Sequence, residues 1–272
     1  MTILVTGATG TVGRHLVNQL VHEGHHVRAL TRNPAAAGLP DGVEVVEGDL
    51  TAPHTVEAWL DGVTGLHLIT FDGADSTPLR TGYEIVDLAA KAGVQRVTVL
   101  GGWDPSTVEE ALDKSDLGWT HLRPVEFMAN ALDYAESIKA EGRVRRYDGG
   151  ALSAMVHEAD IASVAAVALT RDGHAGKAYA LTGPEALSLS DKLAVIGTAI
   201  GRPVEFEPLT EAEAREEMRA SGFPEEYIDF AMELENNPPA EGSIVLPTVE
   251  EVTGRPARTF AQWVTEHVSA FR

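Results

Sequence analysis

Three glycines in the run Gly7-Ala8-Thr9-Gly10-Thr11-Val12-Gly13 are the first residues whose type and spacing suit a definite chemistry. That chemistry is the binding of a pyrophosphate. A glycine in the first place permits a tight turn, one in the second lets bare backbone approach the phosphates, and one in the third lets a helix pack closely on its strand. Backbone N–H groups from about Gly10 to Val12 are then expected to donate to the phosphates, helped by the helix dipole, with Thr9 and Thr11 in the same loop. The alternative is a tight strand-to-helix turn without a ligand.

The end of the next strand decides which dinucleotide fits, because an acid there binds a ribose 2′-hydroxyl and a base binds a 2′-phosphate. The segment is Ala29-Leu30-Thr31-Arg32-Asn33-Pro34, and it holds no acid. Arg32, 19 residues after Gly13, is expected to hold a phosphate, with Thr31 and Asn33 as neutral donors. NADP(H) is the expected cofactor. Gly48-Asp49-Leu50 would set a carboxylate near the adenine amino group and a leucine against the ring, unless Asp49 is only a turn or capping residue. Thr70-Phe71 and Gly101-Gly102 close two further strands at the edge where open α/β sheets bind ligands.

The elements that must position these residues follow from hydrophobic period. Residues 3–6, 27–30, 43–46, 66–70, 96–100 and 119–122 are short β-branched or aliphatic runs and are predicted strands. Val12, Leu16, Val17, Leu20 and Val21 recur at helical spacing, and a second helix is predicted over 78–92. This alternation implies a doubly wound parallel sheet of Rossmann type. Later, helices are predicted at 160–169, 190–200, 210–236 (broken at Gly222-Phe223-Pro224) and 259–270, with short strands at 177–181 and 204–207. The expected organisation is a dinucleotide-binding domain over 1–124 and, over 125–272, mostly a substrate-binding lobe with segments returning to the sheet.

Composition narrows the classes. The chain has no cysteine, which excludes disulfides, thiolate metal sites and cysteine nucleophiles. Its 41 acids against 21 lysines and arginines give a formal charge of −20, which repels nucleic acid and anionic membranes. Between Glu205 and Glu251 there are 14 acids against only Arg215 and Arg219, read as a solvated helical surface in preference to an acidic docking face. No run is long and apolar enough for a membrane helix, and a cytoplasmic monomer or homodimer is expected. His22, His25 and His26 lack the acids or cysteines that would complete a metal site, so no metal is expected.

The opening VTGATGTVG, the HHVRALTRNP segment, the VEGDL turn, the GWTHLRPVEFMAN run and the late EADIASVAAVAL, YALTGPEALSLSDK, GRPVEF and VTGRPARTFAQWV segments resemble, in that order, the NmrA-like group of atypical short-chain dehydrogenase/reductases. The resemblance spans essentially the whole chain. It implies six or more parallel strands, a smaller lobe closing over the nicotinamide, and NADP(H) contacts at Gly7, Gly10, Val12, Arg32, Asp49, Leu50, Thr70 and Pro124.

The chain departs from short-chain dehydrogenases that reduce carbonyls, which use a tyrosine of lowered pKa, a lysine one helical turn later and a serine at a strand end. Gly101-Gly102-Trp103 stands where the serine would be. Tyr134 and Lys139 are five apart and follow the LRP segment, while Tyr83 is followed four residues later by Asp87. Two functions fit: reduction of a conjugated acceptor (quinone, enone or imine), its developing charge relieved by its own heteroatom, by water or by backbone donors near Gly101 and Gly102, or NADP(H) sensing through a protein partner. Phe71, Trp103, Phe127, Met128 and Tyr134 are core residues or cleft walls. Phe71, Trp103 and Phe127 are the preferred walls, with Tyr134 and His157 as further pocket candidates. For Asp160, capping or packing is preferred to catalysis.

Overall fold

Short aliphatic runs set the strands, and their order is that of a doubly wound sheet. The computed structural model describes residues 1–73, 77–102 and 106–272. In chain order the elements are β1 (Thr2–Val5), α1 (Gly13–His22), β2 (His26–Thr31), β3 (Glu44–Glu47), β4 (Gly65–Ile69), α2 (Gly82–Lys91), β5 (Arg96–Leu100), α3 (Thr107–Asp113), β6 (Gly118–Pro124), α4 (Ala135–Glu141), β7 (Arg143–Arg146), α5 (Glu158–Thr170) and β8 (Lys177–Leu181). They continue with α6 (Leu189–Ile200), β9 (Glu205–Pro208), α7 (Glu211–Ala220), α8 (Glu225–Asn236), α9 (Thr248–Thr253) and α10 (Phe260–Glu266). Seven strands form a parallel sheet in the order β3-β2-β1-β4-β5-β6-β8, and β7 pairs with β9, also in parallel.

Two compact units result. The first comprises Met1–Pro124, Glu158–Leu181 and Thr248–Arg255, and holds the seven-stranded sheet. Leu4, Leu30, Val46, Leu66, Leu68, Val97 and Val99 point to one face, where Ile85, Val86 and Ala89 of α2 and Val108, Ala111 and Leu112 of α3 cover them. The opposite face meets α5, whose residues from Asp160 to Leu169 are all buried. Its alanines, valines and Ser163 explain how a helix fits with apolar contact all round.

His67 and Thr98 lie at neighbouring register positions of β4 and β5, both buried, with His67 Nδ1 2.8 Å from Thr98 Oγ1. Burial lowers the His67 pKa to about 4 from 6.5. Above pH 6.5 the ring is neutral folded or unfolded. As pH falls from 6.5 to 4, the unfolded chain takes up a proton that the folded chain refuses, so up to about 3 kcal/mol of stability is lost across this window. Denaturant melts at pH 7 and pH 4.5 should therefore show a smaller acid loss for His67→Gln than for the parent. Equal losses would contradict this account of the buried ring.

The second unit comprises Val125–His157, Thr182–Pro247 and Pro256–Arg272. Its core gathers Met128, Ala131, Tyr134, Ile138 and Val144 with Leu189, Leu193 and Ile196 of α6 and Phe260, Trp263 and Val264 of α10. In the acidic region Arg215 pairs with Glu211 and Asp229, and Arg219 with Glu216 and Glu225. The surface of this unit also exposes Phe223, Tyr227 and Phe230.

Some boundaries differ from the sequence expectation. The helix expected over 78–92 starts only at Gly82, because Pro78 bridges Phe71 and the Leu79 N–H donates to the Thr70 carbonyl. The 210–236 stretch is two helices, with Gly222 at φ +86° between them. The closing helix ends at Glu266, followed by a 3-10 turn at Val268–Ala270. The helices α3, α4 and α9, the strand β7 and a 3-10 helix at Met128–Tyr134 carried no expectation.

Candidate functional site

The Gly7–Gly13 turn runs from the carboxyl end of β1 into α1, and each glycine has a separate reason. Gly7 has φ +59°, a left-handed conformation that favours glycine. A Cβ on Gly13 would lie 2.1 Å from the Gly7 carbonyl oxygen and 2.9 Å from Ala8 Cα, so only glycine lets α1 start this close to the turn. A Cβ on Gly10 would meet the Gly7 oxygen at 3.2 Å, a tight contact, and nothing else among the described residues within 4 Å. The turn therefore constrains Gly10 far less than Gly13.

The N–H of Gly10 donates to Gly7 O (2.9 Å), and that of Arg14 to Gly10 O (3.1 Å). Gly10 is thus no free donor, which corrects part of the expected phosphate contact. Thr11 and Val12 remain, their N–H groups meeting no acceptor among the described residues. No side chain caps α1 and no acid lies in its first turn, whereas Ser106, Ser188, Thr210 and Thr259 cap α3, α6, α7 and α10. A short open backbone with donors and without a carboxylate fits an anionic pyrophosphate. Thr9 lends its carbonyl to Arg14 Nε at 2.8 Å.

Arg32 lies just beyond β2 and is exposed; its Nη1 is 2.9 Å from Asp72 Oδ1. Asn33 is exposed beside it, its N–H donating to Thr31 Oγ1 (3.2 Å). Asp49 Oδ1 accepts from the N–H and the hydroxyl of Thr51, both at 2.8 Å, so this carboxylate does serve a turn. Leu50 is 7% exposed and packs in the core, which leaves little of it for an adenine ring.

Thr70 is buried at the end of β4, where its Oγ1 accepts the Gly102 N–H (3.0 Å). The Gly101 N–H donates to Leu122 O (3.3 Å). Both amides are engaged within the protein, so a backbone donor near Gly101 and Gly102 would have to be another group. What the two glycines offer is room: among the described residues, Cβ atoms there would meet nothing closer than 3.6 Å, that contact being the Phe71 ring beside Gly102. Pro124 closes β6.

Phe127, Tyr134 and His157 belong to the second unit. Phe127 is half-buried and bridges Val156. Tyr134 is a core residue: its ring is buried, and its hydroxyl accepts from Arg146 Nη1 (3.2 Å). Burial raises its pKa, the opposite of what a proton-relaying tyrosine needs. Lys139 is exposed. His157 is fully buried, with Nε2 3.4 Å from Glu266 Oε2. Met128 is likewise core, and Asp160 is buried in the first turn of α5. Tyr83 receives a hydrogen bond from Lys114 (3.0 Å), but this is an exposed cluster whose ammonium is also bound to Glu110. Trp103 lies outside the described residues. Among those described, no cluster of three His, Asp or Glu side chains could hold a metal, and no helix is long and apolar enough to cross a membrane.

Asp72 was not anticipated. Its signal was an acid two residues beyond Thr70 on the ligand-binding edge, but pairing with Arg32 depends on two loops meeting across β1.

A family model described as NAD(P)H-binding matches residues 7–172, from the first glycine of the turn into the residues after α5. The chain belongs to this family. It is 37% identical over 283 residues to the (4-alkanoyl-5-oxo-2,5-dihydrofuran-3-yl)methyl phosphate reductase of Streptomyces griseus, and 36% identical over 284 residues to the NAD(P)H azoreductase of Xenophilus azovorans. Each alignment covers 99% of both chains. Among solved structures, the NADPH-dependent quinone oxidoreductase of Escherichia coli complexed with NADPH matches with TM-score 0.80 and 25% identity, covering 97% of this chain and 99% of that one. The family member described here is an NAD(P)H-dependent oxidoreductase, of the NmrA-like kind that its motifs suggested.

Proposed function

We propose that the protein reduces a conjugated small molecule by hydride transfer from NADPH, without a tyrosine–lysine pair. The turn from Gly7 into α1, where the N–H groups of Thr11 and Val12 meet no acceptor among the described residues and no acid lies in the helix's first turn, is the observation that carries the cofactor part. In this reading Thr11 and Val12 hold the pyrophosphate, Arg32 the 2′-phosphate, the free oxygen of Asp49 the adenine, and the bare surface at Gly101 and Gly102 the nicotinamide. Phe71, beside Gly102, is a wall for the acceptor, and the second unit is mainly the substrate lobe. The cofactor, when bound, supplies the hydride; the chain orients it and excludes water.

The acceptor class rests on what the site lacks. Tyr134 is buried beneath Arg146 with its hydroxyl bound there, so it is not set up to protonate a simple carbonyl. The quinone and alkanoyl-oxo-dihydrofuran groups after which two of the relatives are named hold a C=C bond conjugated to a carbonyl, and the azo group of the third is an N=N bond between two heteroatoms. Such acceptors spread the incoming charge themselves.

NADPH consumption measured against quinones, azo compounds, enones and imines tests the reading. Turnover of one of these classes is expected, and none with any class would contradict it. Calorimetry tests the cofactor preference: NADPH should bind more tightly than NADH, and Arg32→Ala should weaken NADPH binding about 10- to 10²-fold, since one charged hydrogen bond is worth about 1.5–3 kcal/mol. Equal affinity of the variant and parent for NADPH would remove Arg32 from the site.

A further inference from the structure

Arg32 follows β2 and Asp72 follows β4, and these two strands flank β1 in the sheet. Their 2.9 Å ion pair therefore joins two loops across the carboxyl end of β1, where the glycine turn begins. Asp72 is held in place: its N–H donates to Thr77 O and the Leu79 N–H to Thr70 O, both at 2.8 Å, while Phe71 bridges Pro78. The guanidinium also lies close over Gly73, where an added Cβ would stand 3.2 Å from Arg32 Nη2. The described residues after β4 thus present Arg32 with the Asp72 carboxylate, on a backbone held by hydrogen bonds, and with the bare backbone of Gly73.

We infer that Asp72 sets dinucleotide selectivity by competing with the 2′-phosphate for Arg32. The inference rests on the reading of Arg32 as the phosphate holder. The side chains of Arg32 and Asp72 are 45% and 24% exposed, and so open an ion pair is weak. A phosphate, more highly charged and able to take two N–H groups of the fork, draws Arg32 away or shares it. Either way Asp72 remains as a like charge beside the phosphate. NADH brings no phosphate, so its binding leaves the pair intact and is indifferent to Asp72. The carboxylate therefore weakens NADPH binding selectively and narrows the preference over NADH.

Calorimetric titration of NADPH and NADH into the parent, Asp72→Asn, Asp72→Ala and Arg32→Ala tests this, with a thermal melt of each variant. Both Asp72 variants are expected to bind NADPH about threefold to fivefold more tightly, with NADH affinity unchanged, the scale of one exposed charge interaction. An unchanged NADPH-to-NADH ratio, equal shifts for the two cofactors, or weaker NADPH binding would overturn the role of Asp72. The Arg32→Ala arm separates the two readings. If it weakens NADPH while the Asp72 variants leave the ratio unchanged, Arg32 holds the phosphate and Asp72 is no selectivity residue. If it leaves NADPH unaffected, the underlying assignment of Arg32 fails.

Discussion

Gly10→Val is expected to give a folded protein that no longer binds NADPH at useful concentrations. Among the described residues an added Cβ meets the Gly7 oxygen at 3.2 Å, a tight contact that a small shift of the turn relieves, and nothing else within 4 Å, so the position is otherwise open space. That space is where a pyrophosphate would approach the N–H groups of Thr11 and Val12. Losing two charged hydrogen bonds of about 1.5–3 kcal/mol each corresponds to about 10²- to 10⁴-fold in affinity. Gly13→Ala provides the contrast. Its Cβ would lie 2.1 Å from Gly7 O and 2.8 Å from Gly7 C, and backbone atoms cannot rotate aside. That variant should lose stability, whereas Gly10→Val should lose binding. Thermal melts beside calorimetric titrations distinguish the two, and NADPH binding retained by a folded Gly10→Val protein would mean that the turn is structural only.

Much of the fold was legible because its signals are local. The aliphatic runs of the sheet, the glycine turn and the lack of an acid in the Ala29–Pro34 segment are all readable along the chain. Where side chains meet across the sheet, the sequence is silent. The Arg32–Asp72 pair joins residues 40 apart, and the Gly102 amide is claimed by Thr70, 32 residues earlier. Neither separation has a periodic trace. Tyr134 could be read as core or cleft wall from its type alone, and the Arg146 contact with its buried ring decides for core. Strand β7, Arg143-Val-Arg-Arg, has one buried residue, Val144, and no alternation to detect.

The second large effect expected is discrimination between acceptors. Hydride addition leaves negative charge on the acceptor, and a quinone delocalises it onto a conjugated oxygen. A simple ketone concentrates it on one oxygen that needs a proton or a strong donor in the transition state. The amides of Gly101 and Gly102 are already bonded within the protein, and the Tyr134 hydroxyl is buried under Arg146 with a raised pKa. General acid catalysis normally supplies about 10²- to 10⁴-fold in rate, so a ketone matched in size and shape to a good quinone substrate should be slower by about that factor. Phe71→Ala, which removes the ring beside Gly102, should raise the acceptor's KM more than it lowers kcat.

Steady-state kinetics of NADPH oxidation with a quinone and its matched ketone, in the parent and in Tyr134→Phe, test the central claim most directly. A protein that reduces conjugated acceptors without a tyrosine acid should turn over the quinone at a kcat/KM about 10²-fold or more above the ketone, and Tyr134→Phe should change the quinone value by no more than about threefold. A ketone reduced as efficiently as the quinone, with activity collapsing in a folded Tyr134→Phe variant, would contradict it.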